Sequence, residues 1–137
     1  MKIIPTLALA AMALSTGACA TVPSYSASPA LEGTNWRFTS IDDSAPAVPD
    51  RAELEFQPDR LGASVGCNGM GGSWHMEGKQ LVTGPLISTQ MFCEGLVWEQ
   101  ERAVSELLSG RPTVRVEGDM LLLLGEKHSA KLVRVRE

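Results

Sequence analysis

Apolar and polar residues alternate along much of the chain, which is the pattern of β-strands with one buried face. The segment "TNWRFTSI" places Trp36 and Phe38 on one side of a predicted strand, and "RAELEFQ" does the same for Leu54 and Phe56. Six further short segments, separated by Gly, Pro or Asp turns, complete the set: "LGASVG", "GSWHME", "KQLVTG", "PTVRVEG", "DMLLLLG" and "SAKLVRVRE". The leucine run 121–124 predicts a strand that is central in a sheet or buried on both faces. Short strands at this spacing are typical of a barrel or a sandwich.

Residues 94–109 depart from this alternation, because their apolar positions recur at helical spacing. Glu99, Glu101 and Arg102 fall on the predicted solvent face, and Gly110 and Pro112 end the helix. We therefore predict a mainly β or α+β fold, in which a strongly curved antiparallel sheet wraps against one amphipathic α-helix. The predicted core face of that helix consists of Leu96, Val97, Ala103, Val104, Leu107 and Leu108.

The first 18 residues predict a signal peptide, since Lys2 precedes the short apolar stretch "IIPTLALAAMAL". A membrane-spanning helix needs roughly twenty apolar residues, more than this stretch holds. "TGAC" ending at Cys19 resembles a bacterial lipobox and predicts lipidation, whereas "ACA" ending at Ala20 leaves ordinary signal-peptidase cleavage open. Residues 19–30 are rich in Ser, Pro and Ala and predict a flexible tether, followed by one domain over 31–137.

These features predict an exported, periplasmic protein that is anchored to the outer membrane through lipid on Cys19, or is soluble if Cys19 is removed. The formal charge of −4, the scattered basic residues and an aromatic content of 5% argue against a nucleic-acid partner. His75 and His128 are the two histidines, and no G-x-S-x-G motif occurs. We therefore expect no catalytic residues and no cofactor.

Cys67 and Cys93 remain once Cys19 is set aside, and an even number of cysteines outside the cytoplasm favours a disulfide. Closing a loop of this size would stabilise the fold by about 3.5 kcal/mol. Free buried thiols stay possible. So does a metal site that adds His75 and His128, although the close paired spacing of zinc ligands is missing and we expect no metal.

Four motifs, in order, resemble the META domain (HslJ-like) family of bacterial envelope proteins: "LEGTNWRF", "GCNGMGG", "PLISTQMFCEG" and "GDMLLLL". The resemblance covers nearly the whole domain. It implies a lipocalin-like curved sheet or small barrel with one helix, in secreted or membrane-anchored proteins linked to heat shock, drug tolerance or envelope stress. It also implies no established catalytic activity.

The family motif predicts structural roles at the middle two segments. Glycines crowd the first of them, which predicts a tight turn, where Asn68 adopts a left-handed conformation or bonds its own backbone. The hydroxyls of Ser88 and Thr89 are expected to satisfy backbone amides near the start of the helix or at the bend leading into it. The motif positions are Gly66, Cys67, Asn68, Gly69, Ser88, Thr89, Met91 and Cys93.

Two functions remain open at this point. The first is a non-catalytic, monomeric binding or scaffold module for an unknown envelope protein in stress or drug tolerance. Its contact surface would include Trp74, Met76 and Met91, unless these side chains fill the core. The alternative is a carrier of a small apolar ligand inside a lipocalin-like cavity.

Overall fold

A computed structural model of the protein describes residues 29–137. The predicted signal peptide, Cys19 and most of the predicted tether lie outside the described residues, so the predictions of export and lipidation stay predictions.

Within residues 29–137 the fold consists of nine strands, one α-helix and a 3-10 helix at Pro49–Arg51. The elements are β1 (Thr34–Ile41), β2 (Ala52–Phe56), β3 (Arg60–Val65), β4 (Gly69–Glu77), β5 (Gln80–Thr83), β6 (Ile87–Ser88), α1 (Leu96–Ser109), β7 (Thr113–Glu117), β8 (Met120–Leu124) and β9 (Ser129–Val135). Eight of the strands form a closed antiparallel barrel in the order β3-β2-β1-β9-β8-β7-β5-β4, and pairing of β3 with β4 closes it. This confirms the predicted fold class.

The barrel interior is filled by the apolar side of each alternating strand. Trp36, Phe38, Leu54 and Phe56 are all buried, as the alternation predicts. The leucine run differs from its prediction, because Leu121 and Leu123 are buried whereas Leu124 is 40% exposed. A barrel strand has one inner and one outer face, so the residues of β8 alternate between core and surface like those of its neighbours.

Strands β5 and β6 run along β4 as one interrupted strand. Thr83 pairs with Trp74 and Ile87 pairs with Gly71, and residues 84–86 form the break between them. The sequence analysis missed β6, because two residues are too few to show an alternation. Strand β5 pairs with β7 only at Gln80, and α1 packs beside the rest of β5.

Helix α1 lies across one end of the barrel. The Gln100 side chain accepts a hydrogen bond from Ala47 N–H and donates one to the Ala45 carbonyl, both in the segment after β1. The predicted core face is correct for four of its residues, but Leu96 is 48% exposed, because the buried face of the helix begins at Gln100. The buried apolar residues of α1 are Ala103, Val104, Leu107 and Leu108.

The two ends of the barrel differ. Strands β1 and β3 finish, and β4 begins, at the end where α1 lies, which we call the helix end. The chain enters β1 at the opposite end, which we call the entry end. At the helix end the His128 ring bonds Asp42 Oδ2 through Nδ1 at 2.7 Å and Glu106 Oε2 through Nε2 at 3.2 Å. These bonds, above all the one to Asp42, raise the pKa of His128. The cluster joins α1 to two turns of the barrel.

Candidate functional site

A disulfide joins the turn between β3 and β4 to the loop that precedes α1. Cys67 and Cys93 form this bond, with their Cα atoms 6.4 Å apart. The turn needs glycine at position 66, where φ is +129° and an added Cβ would lie 2.7 Å from the Val48 side chain. The disulfide thus fixes the loop to a turn that has little freedom to move.

Asn68 connects the same two segments through hydrogen bonds. Its side-chain Oδ1 accepts from Met91 N–H at 2.7 Å and from the Thr89 hydroxyl at 2.8 Å, and its Nδ2 donates to the Met91 carbonyl at 3.0 Å. The prediction of a left-handed or self-bonded asparagine is wrong, since Asn68 has no positive φ and bonds the facing loop. With 2% exposure, it is a buried polar residue whose groups are satisfied across the turn.

Glu101, on α1, packs against Asn68 and accepts two hydrogen bonds from it. Its carboxylate accepts the Asn68 backbone N–H and the Asn68 Nδ2, each at 2.9 Å, and the residue is 5% exposed. The predicted solvent position of Glu101 is wrong, because the turn and the loop cover this part of α1. Burying a carboxylate is costly without such donors, so Asn68 and Glu101 depend on each other.

Ser88 and Thr89 lie at the loop's other end, not at the helix. Thr89 N–H donates to the Gly69 carbonyl at 3.0 Å, and the Thr89 hydroxyl oxygen accepts Gly69 N–H at 3.2 Å. The Ser88 hydroxyl donates to the Thr89 carbonyl at 2.9 Å. The alternative that places them at the helix start is wrong, because α1 begins only after Gly95. The Thr89 hydroxyl does satisfy a backbone amide ahead of the helix, that of Gly69. They extend the pairing with β4 instead.

Large apolar side chains are exposed along β6, this loop and the first turn of α1. We call these residues the apolar rim, and Phe92, at 86% exposed, is the most exposed of them. A surface cleft of about 350 Å³ lies between the loop and α1, lined in part by Met91, Trp98 and Asn68. The apolar rim consists of Ile87, Met91, Phe92, Leu96 and Trp98.

The contact surface predicted from Trp74, Met76 and Met91 is only partly formed. Trp74 and Met76 pack against the core, and the Trp74 ring meets Phe56 edge-on with 5.0 Å between ring centroids. Met91 is 54% exposed and belongs to the apolar rim. The sequence analysis missed the rest of the rim because Leu96 was assigned to the core and Ile87, Phe92 and Trp98 fit no periodic pattern.

The histidines do not join the cysteines in a metal site. His75 bonds Glu77 at 3.2 Å on the outside of β4, and His128 lies in its own carboxylate cluster. Instead, the ligand atoms of Cys67, Cys93 and Glu101 lie within 4.8 Å of one another. A disulfide offers no thiolate, so this set is not a metal site in the oxidised protein. Neither histidine hydrogen-bonds a serine or cysteine in residues 29–137.

Comparison with known proteins identifies the family. A family model described as META domain matches residues 29–137. Among curated proteins none matches significantly. No helix among the described residues has the length and apolar character needed to cross a membrane.

Three solved structures share the fold. One, an NMR structure, is 20% identical, with a TM-score of 0.67 over 75% of this chain and 90% of its own. An NMR structure from Burkholderia xenovorans is 23% identical, with a TM-score of 0.63 over 78% of this chain and 85% of its own. A DUF4847 family protein from Bacteroides vulgatus is 11% identical, with a TM-score of 0.55 over 78% of this chain and 96% of its own. At these identities the likeness concerns the fold alone.

Proposed function

The chain belongs to the META domain family, and from this premise we propose that it is a non-catalytic binding module of the bacterial envelope. The module is held at the outer membrane by lipid on Cys19 and presents the apolar rim to a partner protein in stress or drug tolerance.

The exposure of the apolar rim is the observation that carries this proposal. Five large apolar residues within positions 87–98 are each more than 40% exposed. Three of them, Met91, Phe92 and Trp98, line the same cleft beside α1. Exposed apolar surface grouped in this way marks interaction sites on soluble domains. The disulfide and Asn68 hold the loop in place, so little conformational entropy is lost when a partner covers it.

The position of the rim on the barrel supports a partner away from the anchor. The chain enters at the entry end, whereas the rim lies with the Asn68 turn at the helix end. The twelve residues of the predicted tether span at most about 40 Å when extended. A domain held in this way has room to direct its helix end away from the anchor, toward other proteins of the envelope.

The packed interior favours a surface-binding module over a carrier of a small apolar ligand. Trp36, Phe38 and Phe56 are at most 2% exposed and occupy the space that a lipocalin-like cavity would need. The cleft beside Asn68 is open to solvent and lies outside the barrel.

Site-specific photocrosslinking in intact cells tests the proposal. A photoreactive amino acid at position 92 should capture a defined protein. The same group at position 120 serves as the control, since Met120 is 41% exposed but lies in the β7–β8 hairpin at the entry end. Equal yields at the two positions, or none above background, would show that the rim is not a docking surface.

The intact mass of the mature protein tests acylation of Cys19.

A further inference from the structure

We propose that reduction of the Cys67–Cys93 disulfide converts the joint between turn and loop into a site for one zinc ion, bound by the two thiolates and the Glu101 carboxylate. Two softer sulfur ligands and one carboxylate suit Zn²⁺ better than Mg²⁺ or Ca²⁺. The inference does not depend on the proposed binding function.

The distances permit this change without rebuilding the fold. The three ligand atoms already lie within 4.8 Å of one another. The Cα atoms of the two cysteines are 6.4 Å apart. Zn–S bonds of about 2.3 Å in a tetrahedral site place the two sulfurs about 3.8 Å apart. Once the S–S bond is broken, rotation of the two side chains supplies that separation.

The Glu101 carboxylate is oriented by Asn68 and keeps acceptor positions that a cation can use. The carboxylate has about four acceptor positions, of which Asn68 fills two from its backbone and its side chain. The Asn68 Nδ2 also lies 3.6 Å from Cys93 Sγ. Asn68 therefore acts as a positioning residue that orients the carboxylate, as groups behind metal ligands commonly do.

The site is reachable from solvent. Both cysteines are only partly buried, and Asn68 and Glu101 line the cleft beside the loop. A reductant can therefore attack the disulfide, and a water molecule can occupy the fourth zinc position.

The chemistry balances with a dithiol reductant. The dithiol transfers two electrons and two protons to the disulfide, forming two cysteine thiols and becoming a disulfide itself. Zinc then forms two Zn–S bonds and one Zn–O bond, and the two thiol protons pass to water. The metal thus replaces the S–S bond as the link between the same two segments, and it protects the thiolates from reoxidation.

Cobalt titration of the reduced protein tests the site. Reduced, chelator-treated protein is titrated with Co²⁺ without oxygen, and we expect thiolate-to-cobalt absorption that saturates at one equivalent and disappears when Zn²⁺ is added. Glu101→Gln should weaken Co²⁺ binding at least about tenfold. Glu99→Gln, an exposed change on the same helix, should leave the affinity unchanged. The oxidised protein should show no such absorption.

For a reduced protein that stays folded, either of two results would overturn the inference. One is equal affinity in the wild type and Glu101→Gln, and the other is no thiolate absorption at all. Should the reduced protein be unfolded, one equivalent of Zn²⁺ must restore its circular dichroism, and failure to do so also counts against the site. As a second readout, Zn²⁺ should slow reoxidation by oxidised glutathione in the wild type more than in Glu101→Gln.

Discussion

Replacing Asn68 by alanine tests how strongly the turn is tied to the loop. The substitution removes four side-chain hydrogen bonds to oxygen and nitrogen partners, three to Thr89 and Met91 and one to Glu101, together with a longer one of 3.6 Å to Cys93 Sγ. The backbone N–H at position 68 still donates to Glu101, and the disulfide stays intact. The perturbation is therefore confined to this hydrogen-bond network.

The expected loss of stability is about 4 kcal/mol. Thr89 and Met91 are exposed, so water replaces Asn68 there, and the three bonds together contribute about 2 kcal/mol. The Glu101 carboxylate is buried and loses one of its two donors, which costs about 2 kcal/mol more. Against a typical total of roughly 5–15 kcal/mol, this loss is large.

Urea unfolding of the oxidised protein measures the change. The midpoint should fall while the m-value stays constant, since the surface exposed on unfolding is unchanged. Gln90→Ala is a suitable control, because Gln90 is exposed and makes a single long bond of 3.5 Å to the Ser88 carbonyl. The control should cost less than about 0.5 kcal/mol.

A double-mutant cycle with Glu101→Gln separates the Asn68–Glu101 interaction from the rest. Because each residue supplies the other's buried partner, the two substitutions should not be additive, and the coupling should reach about 2 kcal/mol. A loss below about 1 kcal/mol for Asn68→Ala, or fully additive costs, would refute the claim that this network holds the loop.

Three further predictions concern other parts of the domain. Replacing Cys67 and Cys93 together by serine should cost about 3.5 kcal/mol in urea unfolding, and a loss near zero would show that the disulfide does not restrict the unfolded chain. The pKa of His128 is raised in the folded state. Its contribution to the free energy of unfolding is therefore complete below pH ~6.5 and is lost as the pH rises through the folded-state pKa. The stability difference between wild type and His128→Gln should therefore shrink from pH 5 to pH 8 (roughly 1.5 units either side of the free value), and a constant difference would contradict the cluster geometry. Gly66→Ala should cost about 3 kcal/mol from strain and overpacking in a thermal melt, whereas Gly62→Ala, with open space around its Cβ, should cost far less.

Much of the fold could be predicted because its signals are local. The alternation around Trp36 and Leu54 identifies strands, and helical spacing identifies α1 to within two residues of its start. The errors occur where one element meets another. Leu124 and Leu96 were assigned to the core because their apolar character is visible in the sequence, whereas the face they present depends on the neighbouring elements.

The sequence by itself determined every strand except β6, the helix, the family and the two cysteines available for pairing, since each is marked by residue types at short spacing. Only the tertiary structure decided that Glu101 is buried and that Asn68 bonds the facing loop. These two residues are 33 positions apart and meet because the barrel closes and α1 crosses its end. A hydrogen bond between such distant positions leaves no periodic pattern in the sequence, because it depends on where the chain returns in space.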